Sequence, residues 1–186
     1  MKSRSPVRLT LLVEDRRQER FARMVCQHLG YETHRLTVAP YLVGRGSAKK
    51  AVTEAFPTYV QKHRSKSSHQ DDLALLVVTD ADELEVAARR DQLDEALQSV
   101  DVTPIESHER IAVWIPRWHI ETWLKYFAGD PNVVETVKYS HNVGSQRERD
   151  GADSFFRQYQ DWKRDPEGLE TLPSLANAYP ETTRID

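Results

Sequence analysis

The stretch Leu73-Ala74-Leu75-Leu76-Val77-Val78-Thr79, running into Asp80-Ala81-Asp82-Glu83, decides how the rest of the chain is read. An unbroken apolar run ending in β-branched residues predicts a strand covered on both faces, since a half-exposed strand alternates polar and apolar positions. Its stop on acid marks the strand end. Upstream, Arg8-Leu9-Thr10-Leu11-Leu12-Val13 has the same character and stops on Glu14-Asp15. Downstream, Arg110-Ile111-Ala112-Val113-Trp114-Ile115 closes at Pro116. A weaker strand is expected over residues 32–39, where polar and apolar positions mix.

Helical patterns fill the intervals. Phe21, Met24, Val25, His28 and Leu29 recur at helical spacing, with Arg16, Arg20 and Arg23 on a different stripe and Gly30 placed to end the helix. Ser47 is a good N-cap for a helix reaching residue 64, with Pro57 as an expected kink or break. Residues 65–72 read as a polar surface loop and residues 84–100 as a charged helix. A short amphipathic helix is expected over residues 119–127, ending near Gly129, then a helical stretch over 152–163 and a shorter one around Leu175. The alternation predicts an α/β fold of Rossmann-like type: a mostly parallel four-stranded sheet with right-handed crossovers, helices on both faces, and a C-terminal helical tail. Residues 1–128 are expected to form the α/β domain, and residues 129–186 a helical extension packed on it.

Composition narrows the class. The chain has 186 residues, 39% hydrophobic and 30% charged, with ordinary Gly and Pro usage, which excludes collagen-like, mucin-like and wholly disordered chains. One cysteine, Cys26, excludes an intramolecular disulfide framework and fits a reducing compartment. A net charge of −3 argues against coating nucleic acid through bulk positive charge, while leaving room for local basic patches. No apolar run approaches the length of a membrane span, and Lys2 and Arg4 are not followed by a hydrophobic signal region. The expectation is a cytoplasmic protein that does not engage membranes.

In open α/β sheets, ligands bind beyond the carboxyl ends of the strands. Two strands here end in acid: the first at Glu14, the third at Asp80 and Asp82. In an extended exit, residues two apart project to the same side, so Asp80 and Asp82 are expected to converge while Ala81 points away. With the two strands adjacent, Glu14 meets that pair at one mouth. Three carboxylates without matching lysines repel one another unless they share a cation, and hard oxygen donors favour Mg²⁺ or Mn²⁺ over zinc. The plainer alternative makes Asp80 and Asp82 turn and helix-capping residues.

Val13-Glu14 before a helix, with a later strand ending Asp80-Ala81-Asp82, resembles the Toprim domain of topoisomerases, primases, the overcoming-lysogenization-defect nucleases and ribonuclease M5-like enzymes. The Gly-rich stretch before the second helix and Ile120-Glu121-Thr122-Trp123 resemble small stand-alone Toprim-like bacterial proteins. The resemblance covers residues 8–128. It implies that Glu14, Asp80 and Asp82 hold Mg²⁺ for phosphodiester chemistry, with Glu14 either completing the metal's ligands or acting as general base. Glu83 either ligates through water or begins the next helix, where an acid suits the dipole; the helix role is preferred. Two features depart from the family. Its Glu-Gly pair is Glu14-Asp15 here, and the place of a further acid in the following helix holds Gln18, with Glu19 beside it.

Further residues are candidates for substrate contact. Gly44-Arg45-Gly46-Ser47 could present backbone N–H groups to a phosphate, with Lys49 and Lys50 adding charge, or could simply be a capped turn. Its spacing is not that of a nucleotide-binding P-loop. The Arg16, Arg20 and Arg23 stripe starts beside Glu14 and either holds a nucleic-acid backbone or forms a solvated face balanced by Asp15 and Glu19. After the fourth strand, Arg117 and His119 are candidates for phosphate contact, Glu121 for orienting one of them or the metal, and Trp118 for stacking a base. A partly exposed structural histidine is the plainer reading of His119. Taken together, the expectation is a Mg²⁺-dependent nuclease acting on DNA or RNA. The alternative is a non-catalytic binding module in a larger complex containing an ATPase, and a receiver-like domain ranks last because no lysine follows the fourth strand.

Overall fold

The computed structural model describes residues 8–40, 48–67, 72–139 and 145–186, without the side chains of residues 48, 49, 145 and 146. In chain order the elements are β1 (Arg8–Val13), α1 (Arg16–His28), β2 (Leu36–Val38), α2 (Ala48–Ser67), β3 (Leu73–Val78) and α3 (Val86–Gln98). They are followed by β4 (Ile111–Trp114), α4 (Ile120–Phe127), α5 (Ser145–Arg164) and α6 (Pro173–Thr183). The strands form one all-parallel sheet in the order β2-β1-β3-β4. This is the Rossmann-like arrangement that the strand–helix alternation predicts.

Alternate residues of each central strand feed two cores. Leu9, Leu11, Val13, Leu76, Val78 and Trp114 pack with Phe21 and Val25 of α1, Trp123 of α4, Phe155 of α5 and Tyr179 of α6. Leu12, Leu75, Val77, Ile111 and Val113 pack on the other side with Phe56 and Val60 of α2 and Leu93 and Leu97 of α3. Double coverage explains why β1, β3 and β4 read as continuous apolar runs. The C-terminal helices belong to the first core. Phe155 lies 5.0 Å from Trp114, 5.8 Å from Phe21 and 5.2 Å from Tyr179, ring centre to ring centre.

Some boundaries differ from expectation. The weak strand is β2, only three residues long, because residues 33–35 coil into a single 3₁₀ turn held by the Arg35 N–H donating to the Glu32 carbonyl. Helix α2 runs through Pro57 to Ser67, past the expected stop at 64. Helix α5 begins at Ser145 rather than 152, and its early turns are anchored by charge: Glu148 is buried, with Arg17 and Arg20 of α1 at 3.3 and 2.8 Å. At Gly151 a Cβ would stand 2.6 Å from Leu124 Cδ2, so glycine lets α5 approach α4 closely.

Helix α6 closes the outer edge of the sheet. The indole N–H groups of Trp114 and Trp123 donate to Thr182 and Ser174, and the Val113 N–H donates to Glu181 Oε2 at 3.0 Å. No helix among the described residues is long and apolar enough to cross a membrane.

Candidate active site

Val13 pairs with Val78, so Glu14 and the Thr79-Asp80 pair leave the sheet side by side. Glu14 Oε1 accepts from the Thr79 hydroxyl and from the Asp80 N–H at 3.1 Å. The Glu14 N–H in turn donates to Gln18 Oε1 at 2.9 Å, which gives that glutamine a structural task. Asp15 is extended (φ −144°), a conformation any residue adopts, and its carboxylate caps α1 at the N–H groups of Arg17 and Gln18. Aspartate at this turn therefore introduces no strain, and Asp15 stabilises the helix start.

Beyond Asp80, Ala81 is buried against the α2 and α3 side. Asp82 then turns left-handed at φ 53° and forms an isolated antiparallel bridge with Trp118, itself left-handed at φ 61°. Aspartate tolerates this conformation, but for a bulky residue such as Trp118 it is a genuine outlier, unfavourable by about 1–2 kcal/mol. Asp80 and Asp82 share a mouth while Ala81 packs on the other side, and the chain turns at Asp82 and Glu83. Arg117 braces the turn, with its guanidinium donating to the Asp82 carbonyl and to Glu85, each at 3.0 Å.

The protein sets a histidine and an arginine beside these carboxylates. His119 stands at the N-cap position of α4 without capping it, and its Nδ1 lies 3.4 Å from Asp80 Oδ2 and 3.7 Å from Asp82 Oδ1. Arg89 of α3, 1% exposed, donates through Nη2 and Nε to the Thr79 hydroxyl and comes within 3.6 Å of Glu14 Oε1. The expectation is of three carboxylates without matching lysines; His119 stands near that mouth as expected, and Arg89 beside Glu14 is unforeseen. Arg89 escaped the sequence reading because α3 looks like a charged surface helix. Its signal is spacing: Arg89 falls on the same stripe as the buried Leu93 and Leu97, four and eight residues on.

Burial pushes the Asp80 carboxyl up to about 7; the nearby Glu14 charge adds to the rise and the His119 hydrogen bond opposes it. Burial also raises Glu14, against the hydrogen bond from Thr79 and the charge of Arg89. His119 is raised chiefly by its hydrogen bond to Asp80, and Arg89 is lowered by burial against the pull of the three carboxylates.

Asp80 Oδ1 is buried and has no hydrogen-bond partner among the described residues, so one hard oxygen donor faces no protein proton. That suits a divalent cation. Among the described residues, no group of three or more His, Cys, Asp and Glu side chains is arranged to hold a metal. Mg²⁺ is commonly held by only one or two carboxylates, with water and substrate oxygens completing its shell, and the Asp80–Asp82 pair fits that mode.

The remaining candidates have mixed placements. Arg16 is exposed at the start of α1. Arg20 pairs with Glu148, Arg23 pairs with Glu19 at 2.7 Å, and Glu121 is buried against Arg17 at 2.5 Å. The Arg17–Glu121 and Arg20–Glu148 pairs join α1 to α4 and α5, whereas Arg23–Glu19 lies within α1. Lys50 is exposed, 3.6 Å from Glu54, while the Lys49 side chain and the Gly44–Ser47 turn lie outside the described residues. Glu83 is exposed and precedes α3, which begins at Val86, so it does not open that helix. In comparisons with known proteins, no family model, curated protein or solved structure shows a significant match to the chain.

Proposed function

We propose that the protein is a divalent-metal-dependent nuclease that cleaves phosphodiester bonds of DNA or RNA. The observation that carries this reading is the buried Asp80 carboxylate, with one unpartnered oxygen, set beside Asp82 and Glu14 at the ends of adjacent strands. The resemblance of Glu14 and Asp80-Ala81-Asp82 to the Toprim pattern supports a polynucleotide as substrate. Asp80 and Asp82 would hold Mg²⁺ or Mn²⁺, and the cation would neutralise charge building on the phosphoryl oxygens.

The chain's own groups have separable tasks. Thr79, the Asp80 N–H and Arg89 fix the Glu14 carboxylate, and burial raises its affinity for a proton, the direction that suits a general base. His119 Nδ1 faces both aspartates, placed to donate a proton to either. Arg117 keeps the Asp82 turn in place from behind.

One observation favours the second reading, a non-catalytic binding module in a complex that includes an ATPase. Arg89 already balances Glu14 from within, so part of the acidic mouth is neutral without an added ion. Calorimetric Mn²⁺ titration of the wild type and of Asp80→Asn, followed by cleavage assays on DNA and RNA, separates the two. The nuclease reading requires saturable binding that Asp80→Asn abolishes, together with metal-dependent cleavage. Neither Mn²⁺ binding nor cleavage by the folded wild type would transfer the assignment to the module.

A further inference from the structure

We propose that Trp118 is a platform on which an unpaired nucleobase of the substrate stacks, making single-stranded or frayed nucleic acid the preferred substrate. The proposal rests on the phosphodiester reading above and deepens it. Trp118 differs from the buried tryptophans of the core. Trp114 and Trp123 are fully buried, and their N–H groups are bonded to Thr182 and Ser174. Trp118 is only half-buried as a residue, and its indole N–H, itself buried, has no hydrogen-bond partner among the described residues.

The backbone places this ring deliberately. The residues from Ile111 to Arg117 and Ile120 are all buried, whereas Trp118, whose backbone is left-handed, is only half-buried. The partner across the bridge is Asp82, also left-handed, whose N–H faces the Trp118 carbonyl at 3.3 Å. Left-handed bulky residues gather at functional sites because the surrounding structure has to impose them. The bridge thus fixes the indole to the chain segment that carries one of the candidate metal ligands.

The surroundings fit a nucleotide. Trp118 lines an open depression of about 440 Å³ with Asp82, Glu83, Leu84, Gln92 and Lys138, a size within the range of small-molecule sites. The Arg117 guanidinium lies 5.5 Å and the Lys138 ammonium 5.9 Å from the ring centre. Both cations lie over the indole, and Arg117 is already bonded to Asp82 and Glu85, so a stacking base takes the place of the Lys138 ammonium and leaves that charge for the backbone. A base within a duplex is already stacked on both sides, so the platform selects unpaired ones.

The test measures anisotropy of a labelled single-stranded oligonucleotide and of its duplex in metal-free buffer, and KM in Mn²⁺. It uses the wild type, Trp118→Ala and Trp118→Phe, with folding checked by circular dichroism. The platform predicts that the wild type prefers the single strand, that Trp118→Ala weakens its binding about tenfold or more, and that Trp118→Phe recovers much of the loss. KM should rise in the alanine variant and fall back in the phenylalanine variant. A folded Trp118→Ala that binds the single strand as tightly as the wild type, or a wild type that prefers duplex, overturns the platform and leaves the nuclease reading standing. Trp118-dependent binding without Mn²⁺-dependent cleavage keeps the platform and overturns the nuclease reading. A wild type that neither binds nor cleaves overturns both.

Discussion

Replacing Asp80 by asparagine should make the protein more stable at neutral and alkaline pH. Asp80 is 6% exposed, and its carboxyl is displaced from 3.8 in the open chain to about 7 in the fold. Below pH 3.8 both states are protonated and the site costs nothing. Between 3.8 and 7 the unfolded chain ionises while the folded one keeps its proton, so stability falls as pH rises. Above 7 the deficit is constant at about 4 kcal/mol, from 1.36 kcal/mol for each tenfold change in proton affinity. Asparagine keeps the shape and removes the ionisation, but it also weakens the contact with His119. The expected gain at pH 8 is therefore about 2–4 kcal/mol, shrinking toward zero near pH 4. Urea denaturation at pH 4.5, 6 and 8 measures it directly. The His119 ring, followed by NMR, should titrate at lower pH in the variant, because its hydrogen bond to Asp80 is the main cause of its raised value. An asparagine variant with the wild-type pH slope, or one less stable at pH 8, would refute the reasoning.

Arg89→Met leaves Glu14 buried without its cation and should cost about 3–5 kcal/mol. Adding Glu14→Gln should restore a good part of that loss in a double-mutant cycle read by chemical denaturation. Phe155→Ala opens the aromatic core between α5 and the sheet and should cost about 3–5 kcal/mol in thermal unfolding. Millimolar Mn²⁺ should raise the Tm of the wild type and leave Asp80→Asn unmoved, because a ligand stabilises only the state that binds it. Glu148→Gln should weaken the joint between α1 and α5, seen as faster amide exchange across residues 147–152.

How legible the fold was in the sequence depends on where each element lies. β1, β3 and β4 are readable because helices cover both faces and keep the runs almost wholly apolar, Arg8 and Thr10 of β1 being the exceptions. β2 pairs only with residues 9–11 of β1, and of its three residues only Leu36 is buried, so it carries little pattern. The early part of α5 is polar. It is held by Glu148 in an ion-pair cluster and by the missing side chain of Gly151, and hydrophobic periodicity detects neither. At the mouth, Glu14, Asp80 and Asp82 are legible because strand ends in acid stand out against apolar runs. Arg89 is hidden by composition: a buried arginine among surface charges is revealed only by sharing a stripe with Leu93 and Leu97. The turns at Asp82 and Trp118 have no glycine to announce them, so their conformation comes from packing around Arg117 and the bridge.

The way α6 lies along β4 bears on how the protein behaves in concentrated solution. A parallel sheet with an open border offers its unpaired N–H and carbonyl groups to any other extended chain, which is how strand-to-strand aggregation starts. Here Glu181 occupies the Val113 N–H, and Thr182 holds the Trp114 indole, so this border is engaged by a helix that cannot itself be extended by another strand. Removing residues 173–186 would take away both contacts together with Leu175 and Tyr179 from the core. The shortened chain would expose an apolar strand bordered by free N–H groups, and loss of solubility through intermolecular pairing would be its expected failure.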